Sequence, residues 1–228
     1  MCGRFTNTAD PTALAERFAA TLPEGVRQRF NVAPAQGVLT VRALEGERVA
    51  ELMRWGLVPH WAKDPKISYK MINARAETLA EKPVYKKLLA ERRCLIPADG
   101  FYEWTTAPDG KKVAIRFTLT DEELFAFAGL WTSWVNKESG ELLASCTIVT
   151  TTPNELIAHT HNRMPVILPP DAESRWLDPE LPMDAARALL APYPGEATVA
   201  SVASRRVNRA GPDDAALFVP DEGDEDLP

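Results

Sequence analysis

Proline is the feature that most restricts how this chain can fold, because 19 of its 228 residues are proline, more than the usual ~5%. The prolines lie between short apolar segments. Since proline lacks an amide N–H and interrupts helices and central strands, this pattern predicts many turns and few long helices. The order of the segments favours an α+β fold in one domain, with several antiparallel strands and helices inserted between them.

The clearest helix signal lies at 10–21. Asp10 can cap this helix, Pro11 suits its first position, and Leu14 and Phe18 share one face. Further helices are expected at 77–92, with a break or restart at Pro83, and at 153–159 and 182–191.

Alternating apolar segments predict two hairpins. Their strands are expected at 38–41 with 48–57, and at 101–106 with 112–119. Other strands are expected at 94–97, 124–130, 142–150, 164–168 and 198–203, and 59–70 is expected to be a loop.

The formal charge of −6, from 32 acidic and 26 basic residues, argues at face value against a polyanionic partner. Five of the acids lie in the last eight residues, 221–228, which contain no base. The rest of the chain is therefore close to neutral, and nucleic acid is not excluded. We expect a domain at 2–220 followed by a disordered acidic tail at 221–228.

The cysteines Cys2, Cys94 and Cys146 do not have metal-ligand spacing, and no apolar run of signal-peptide length begins the chain. The sequence therefore predicts a reduced cytoplasmic protein without metal or cofactor. No apolar stretch approaches the 18 residues typical of a membrane span, so no membrane association is expected.

Cys2 is the first candidate for chemistry. A buried free cysteine is more often a small hydrophobe. At position 2, however, removal of Met1 would leave cysteine at the N-terminus, with a thiol and an α-amine on one residue. Such a 1,2-aminothiol can condense with an aldehyde to give a thiazolidine, or act as an N-terminal nucleophile in amide hydrolysis.

Two titratable residues have both a structural and a functional interpretation. His161 lies beside Arg163 in a turn, where it is either structural or placed for anion contact and proton transfer. Glu103 shares a strand face with Phe101. It either points outward or faces an apolar pocket, where burial would raise its pKa and suit it to general acid catalysis.

Asn73 and Arg75 follow an apolar segment. Asn73 is either a helix cap or, together with Arg75, a means of orienting a sugar and binding a phosphate. Trp61 lies in the polar, proline-bounded segment 59–65, where an exposed ring could stack on a nucleic-acid base instead of packing in the core.

Together these motifs resemble the SRAP (SOS-response-associated peptidase) family, in order, over about residues 2–210. The resemblance is carried by Met1-Cys2-Gly3-Arg4-Phe5, Asn31-Val32-Ala33-Pro34, Trp55-Gly56-Leu57-Val58-Pro59, Ile72-Asn73-Ala74-Arg75-Ala76-Glu77-Thr78, Ala98-Asp99-Gly100-Phe101-Tyr102-Glu103-Trp104, Ile148-Val149-Thr150, His161-Asn162-Arg163-Met164-Pro165 and Ser204-Arg205-Arg206-Val207-Asn208.

The resemblance implies a barrel-like core with peripheral helices and a role in DNA damage. It implies that the protein binds single-stranded DNA containing an abasic site and forms a covalent crosslink through Cys2 once Met1 is removed. Asn73 would orient the α-amine and the sugar, Glu103 would supply the acid that opens the sugar ring, and His161 would stabilise the sugar oxygen.

The resemblance also implies a DNA-binding set and a monomeric, DNA-associated protein of bacterial type. The implied DNA-binding residues are Gly3, Arg4, Asn31, Pro34, Trp61, Arg75, Trp104, Thr150 and Arg163.

Two other functions remain open from the residues. One is a cysteine peptidase or N-terminal nucleophile hydrolase that uses Cys2 with His161. The other is a module that binds single-stranded DNA without chemistry, in which Cys2 is structural.

Overall fold

The computed structural model of the protein describes residues 2–224. Within this range no α-helix is longer than the nine residues of Pro83–Glu91, as the distribution of prolines predicts. None of the helices described is long and apolar enough to cross a membrane. The α-helices are Pro11–Phe18 (α1), Pro83–Glu91 (α2), Glu155–Ala158 (α3), Pro170–Leu177 (α4) and Met183–Ala188 (α5).

The strands form two sheets. They are Arg4–Asn7 (β1), Arg29–Val32 (β2), Gly37–Leu44 (β3), Glu47–Trp55 (β4), Asn73–Arg75 (β5), Arg93–Ala98 (β6), Gly100–Thr106 (β7), Lys112–Leu119 (β8), Phe125–Val135 (β9), Leu142–Thr151 (β10), Met164–Pro165 (β11), Ile167–Leu168 (β12) and Thr198–Val202 (β13).

Five strands close a barrel. β3 pairs with β4 and β6, β9 pairs with β6 and β10, and a contact between β10 and β4 completes the ring. This confirms the predicted α+β, barrel-like core with peripheral helices. The expectation of antiparallel strands needs one correction, because β10 pairs in parallel with both β4 and β5. These strands are far apart in the sequence, so no hairpin imposes an antiparallel arrangement on them.

The second sheet carries the N-terminus and has the strand order β13-β8-β7-β1-β2. β1 lies between β2 and β7, with Phe5 opposite Val32 on one side and Phe101 on the other. Cys2 lies two residues before the start of β1, so this sheet fixes the position of Cys2.

Phe5 joins this sheet to the barrel. Its ring centroid lies 5.2 Å from that of Trp55 on β4 and 5.7 Å from that of Phe127 on β9, both edge to face. All three side chains are buried. Aromatic contacts of this kind stabilise a core beyond the burial of area alone, so Phe5 holds the N-terminal strand firmly against the barrel.

The local signals at α1 and at the first hairpin are confirmed. The carboxylate of Asp10 accepts a hydrogen bond from the amide of Thr12, and Leu14 and Phe18 face the core. The helix ends at Phe18, earlier than predicted, because Ala19 adopts a left-handed conformation. Between β3 and β4, Glu45 and Gly46 both have positive φ, as a tight two-residue hairpin turn requires.

Other elements differ from the sequence predictions, and the expected loop at 59–70 contains a 3-10 helix at Pro65–Lys70. The expected helix at 77–92 is only Pro83–Glu91, preceded by a 3-10 turn at Ala76–Thr78. The expected strand at 164–168 is split, because β11 pairs with β10 whereas β12 pairs with β9. Helix α4 was not predicted, and it falls in a polar segment whose buried face is short.

The described chain ends within the segment 221–228, which we expect to be a disordered acidic tail. Asp221 accepts a hydrogen bond from the amide of Arg205, and the carboxylate of Asp224 forms an ion pair with the guanidinium of the same residue at 2.5 Å. The acids at these two positions therefore hold the segment against the domain. Residues 225–228 lie outside the described residues.

Candidate active site around Cys2

Cys2 is completely buried and belongs to the apolar cluster between the two sheets, where it packs with residues such as Phe5 and Trp55. Its Sγ makes a weak contact of 3.7 Å with the carbonyl oxygen of Arg4. Burial raises the pKa of the thiol well above its usual range, and the negative charge of Glu103 raises it further. The sulfur is therefore a neutral thiol in this environment, and Glu103 lies close enough to influence it.

Asn73 holds the backbone of Cys2 through a hydrogen bond. It begins β5, and its parallel pairing with Ile148 directs it toward the junction of the sheets. Its side-chain Nδ2 donates a 2.7 Å hydrogen bond to the carbonyl oxygen of Cys2. Its Oδ1 is buried and has no hydrogen-bond partner among the described residues, so it can accept a hydrogen bond from a substrate or an amine.

Glu103 faces inward from β7. It is only 2% exposed and shares this buried face with Phe101, so the outward-pointing interpretation of its strand position is excluded. Burial raises the pKa of its carboxyl group to about 7, while the positive charge of the chain's amino terminus acts in the opposite direction. A carboxyl group with this pKa can both donate and accept a proton near neutral pH.

His161 lies just after α3, and its Nδ1 accepts a 3.0 Å hydrogen bond from the backbone amide of Arg163. The neutral ring therefore carries its proton on Nε2. Burial and, next, the positive charge of the amino terminus lower the pKa of the imidazole. At neutral pH His161 is consequently a neutral Nε2–H donor rather than an imidazolium cation.

Arg163 is bound by other residues of the protein. Its Nη1 and Nη2 donate to the two carboxylate oxygens of Glu77 at 2.7 and 2.9 Å, and Nη2 also donates to the carbonyl oxygen of Thr150 at 2.6 Å. Thr150 itself is completely buried on β10. This arrangement ties the loop after α3 to the segment that follows β5.

Arg4 and Asn31 contact each other. Arg4 Nη1 donates to Asn31 Oδ1 and to the carbonyl oxygen of Val207, both at 2.7 Å. Asn31 is buried, and its Nδ2 donates to the carbonyl oxygens of Arg209 and Pro212. Asn31 therefore orients Arg4 rather than offering its own amide to a ligand.

The other residues of the DNA-binding set are dispersed around this centre. Arg75, at the end of β5, is exposed, whereas Gly3 and Pro34 are half-buried. Trp104 Nε1 donates a 2.6 Å hydrogen bond to Asn208 of the closing motif. Trp61 is 58% exposed on the loop 59–65 and lines a cavity with Trp134.

The site thus combines a cysteine at position 2, a carboxyl group of raised pKa, a neutral imidazole and an orienting amide. In the part of the chain that the structure describes, no group of three or more His, Cys, Asp or Glu side chains could hold a metal ion. The four side chains suit proton transfer around a nucleophile in a largely buried setting.

The chain belongs to the SOS response associated peptidase (SRAP) family, whose family model matches residues 1–210. Among similar relatives, Abasic site processing protein YoqW of Bacillus subtilis (strain 168) is 47% identical over 212 residues, covering 91% of this chain and 94% of the relative. Abasic site processing protein YedK of Escherichia coli (strain K12) is 28% identical over 191 residues, covering 79% and 81%.

Solved structures show the same fold. A protein from Bacteroides thetaiotaomicron superposes with a TM-score of 0.87 at 24% identity, covering 96% of this chain and 99% of that one. A protein from Bordetella bronchiseptica superposes with a TM-score of 0.76 at 31% identity, covering 89% and 100%.

Sequence reasoning missed two residues that organise the site. Glu77 was noted only as part of a motif, and its pairing with Arg163 depends on two segments 86 residues apart. Asp213 accepts hydrogen bonds from the backbone amides of Phe30 and Asn31, and thereby supports the residue that orients Arg4. No local pattern marks either contact.

Proposed function

We propose that the protein recognises abasic sites in single-stranded DNA and forms a covalent crosslink to them through Cys2, after removal of Met1. Relatives that cover almost the whole chain are named abasic site processing proteins, which supports this class of substrate. The observation that carries the chemistry is the burial of Cys2 beside Glu103, a carboxyl group with a pKa of about 7.

The proposed reaction joins both reactive groups of an N-terminal cysteine to one carbon. The α-amine of Cys2 adds to the C1′ aldehyde of the opened abasic sugar, and loss of one water gives an imine. The thiol then adds to the imine carbon, forming the S–C bond, and its proton ends on the nitrogen. The product is a thiazolidine, and the net change is the loss of one water.

Glu103 would act first as an acid and then as a base. Its protonated form supplies a proton as the closed sugar opens to the aldehyde. Because Cys2 is a neutral thiol, its proton must leave as the sulfur adds to the imine, and the ionised Glu103 can accept it. A pKa of about 7 keeps both forms populated at neutral pH, which suits this double role.

His161 and Asn73 would orient the reacting groups. The Nε2–H of His161 can donate to the sugar oxygen while the ring remains neutral. Asn73 fixes the carbonyl of Cys2 through Nδ2, and its buried Oδ1 is available to accept from the α-amine or a sugar hydroxyl group. Holding these groups in place lowers the entropic cost of bringing amine and aldehyde together.

Contacts to the DNA phosphates would come mainly from the side chain of Arg75, which is exposed beside the site. Arg4 would contribute from its position on Asn31, and Trp61 would stack on a base at the edge of the bound strand. The residues that we propose to assist are Gly3, Pro34 and Trp104, while the buried Thr150 would act only through Arg163, which donates to its carbonyl oxygen. We propose that the protein acts on DNA as a monomer.

The two alternative functions are less well supported. A cysteine peptidase requires a thiolate beside a basic histidine, whereas burial raises the pKa of Cys2 and lowers that of His161. A purely binding module gains nothing from placing the carboxyl group of Glu103 in an apolar environment, which destabilises its charged form.

A denaturing gel tests the proposal. The protein is incubated with single-stranded DNA that carries an abasic site, and with the same DNA after reduction of its aldehyde by borohydride. We expect a denaturation-resistant band with the aldehyde only, and no such band for Cys2→Ala. A shift seen only in native gels supports the binding module, and the absence of any shift supports the peptidase.

A further inference from the structure

The ion pair between Glu77 and Arg163 fixes the orientation of the Arg163 guanidinium. Both carboxylate oxygens of Glu77 engage the two terminal nitrogens of the guanidinium, at 2.7 and 2.9 Å. Arg163 Nη2 also donates to the carbonyl oxygen of Thr150 at 2.6 Å. A bidentate pair fixes the plane of the guanidinium, and the third contact anchors it to β10 of the barrel.

Arg163 is also the residue whose backbone holds the imidazole. Its amide N–H donates to His161 Nδ1 at 3.0 Å. The tautomer and orientation of His161 therefore depend on where the backbone of Arg163 lies, and the side chain that Glu77 holds connects Arg163 to β10.

We propose that Glu77 is a positioning residue that acts through Arg163 to hold His161 as its Nε2–H tautomer. This inference rests on the proposed function, because it names the residue that fixes the tautomer of His161, which would donate to the sugar oxygen. It assigns to Glu77 and Arg163 a structural connection to the site.

The same contacts hold the Arg163 side chain in one position. Its side chain is only 12% exposed, and Nη1 and Nη2 are both engaged by Glu77. The pKa of Glu77 is lowered, first by its hydrogen bond to Arg163, so the carboxylate stays ionised at neutral pH. The ion pair with Arg163 is therefore present at neutral pH.

The first test measures which ring nitrogen of His161 carries the proton, in the absence of DNA. In a His60→Gln/His159→Gln background His161 is the only histidine, and its two ring nitrogens are identified by ¹⁵N chemical shift. We expect an unprotonated Nδ1 and a protonated Nε2 with Glu77 present. Glu77→Gln should give a mixture of tautomers, and the exposed control Glu81→Gln should leave the single tautomer unchanged.

The second test measures single-turnover crosslinking. Glu77→Gln should lower the rate at saturating DNA by about tenfold or more, with the half-saturating DNA concentration changed by less than about twofold. Arg163→Lys keeps the positive charge but loses the planar two-nitrogen contact with Glu77, so it should lower the rate as Glu77→Gln does. If Glu77→Gln does not fold, Glu77→Asp should show the same tautomer mixture to a smaller extent.

Two results would overturn the inference. One is a single Nε2–H tautomer in both Glu77 variants. The other is a wild-type crosslinking rate for Glu77→Gln at saturating DNA. If the wild-type protein forms no crosslink at all, the proposed function fails, while the ¹⁵N measurement still decides whether Glu77 positions His161.

Discussion

Asn73 donates a 2.7 Å hydrogen bond from its side-chain amide to the backbone carbonyl oxygen of Cys2. Asn73 lies on β5, which pairs with the barrel, whereas Cys2 precedes β1 of the other sheet. This bond therefore joins the two sheets at the candidate nucleophile. It fixes the backbone of Cys2 and, with it, the direction of the α-amine in the proposed reaction.

Removing this bond should slow the reaction more than it weakens DNA binding. Asn73→Ala loses the donor to the Cys2 carbonyl, and we expect the crosslinking rate at saturating abasic DNA to fall by about tenfold to a hundredfold. Asn73→Asp should be slower still, because a carboxylate would face the carbonyl oxygen. A wild-type rate for Asn73→Ala would contradict the orienting role.

The pH profile should identify Glu103. Its protonated form is required for ring opening and is lost as the pH rises through about 7, so the wild-type rate should decline on the alkaline side. On the acid side, protonation of the α-amine, with an ordinary pKa of about 7.7–8.0, lowers the rate. The profile of single-turnover rate against pH should therefore be bell-shaped.

Glu103→Gln should remove the alkaline limb of this profile and lower the maximum rate by about a hundredfold, the usual size of a general acid–base contribution. Native gels should show nearly unchanged binding of the reduced abasic DNA. An alkaline limb that persists in the Gln variant would show that another group supplies the proton.

Arg75 should account for part of the salt dependence of DNA binding. Each phosphate contact to a single strand contributes about 0.7 to the slope of log affinity against log salt. We therefore expect Arg75→Ala to bind more weakly and to reduce this slope by about that amount, measured by fluorescence anisotropy with reduced abasic DNA. Arg187→Ala, an exposed change on α5, is the matched control and should leave the slope unchanged.

Asp213 should be important for stability. Its carboxylate accepts hydrogen bonds from the amides of Phe30 and Asn31 and from Nε of Arg29, at 2.6 to 2.9 Å. Asp213→Ala leaves these donors without a partner, and we expect the free energy of unfolding to fall by about 2–4 kcal/mol in urea denaturation.

Asp214 provides the comparison, because its carboxylate pairs with Arg206 at the surface, where both side chains are about half exposed. Asp214→Ala should cost only about 1 kcal/mol. Equal losses of unfolding free energy in the two variants would show that the contacts of Asp213 with β2 contribute no more to stability than the exposed contacts of Asp214.

Local structure could be predicted from the sequence wherever the signal is local. Asp10 and Pro11 mark the start of α1, and the turn at Glu45 and Gly46 lies between two alternating segments. Helix α4 was missed because its buried face includes Glu173, which a sequence pattern treats as a surface residue. Glu173 is buried because Arg17 of α1, distant in the sequence, pairs with it.

The residues of the site could be predicted from the sequence, whereas their non-local contacts could not. Motif resemblance predicted Cys2, Asn73, Glu103 and His161, and the structure shows Asn73 bonded to Cys2 and Glu103 buried beside it. What the sequence did not reveal is which polar groups are already engaged. The pairing of Arg163 with a carboxylate results from non-local packing of β5, β10 and the loop after α3.

Intact-mass measurement shows whether Cys2 forms the crosslink with DNA. The purified protein is first weighed alone, which shows whether Met1 has been removed, and then after incubation with single-stranded abasic DNA and denaturation. We predict a species equal to the Met1-free protein plus the DNA minus one water, absent for Cys2→Ala. A protein that keeps Met1, or an adduct that still forms with Cys2→Ala, would contradict the account.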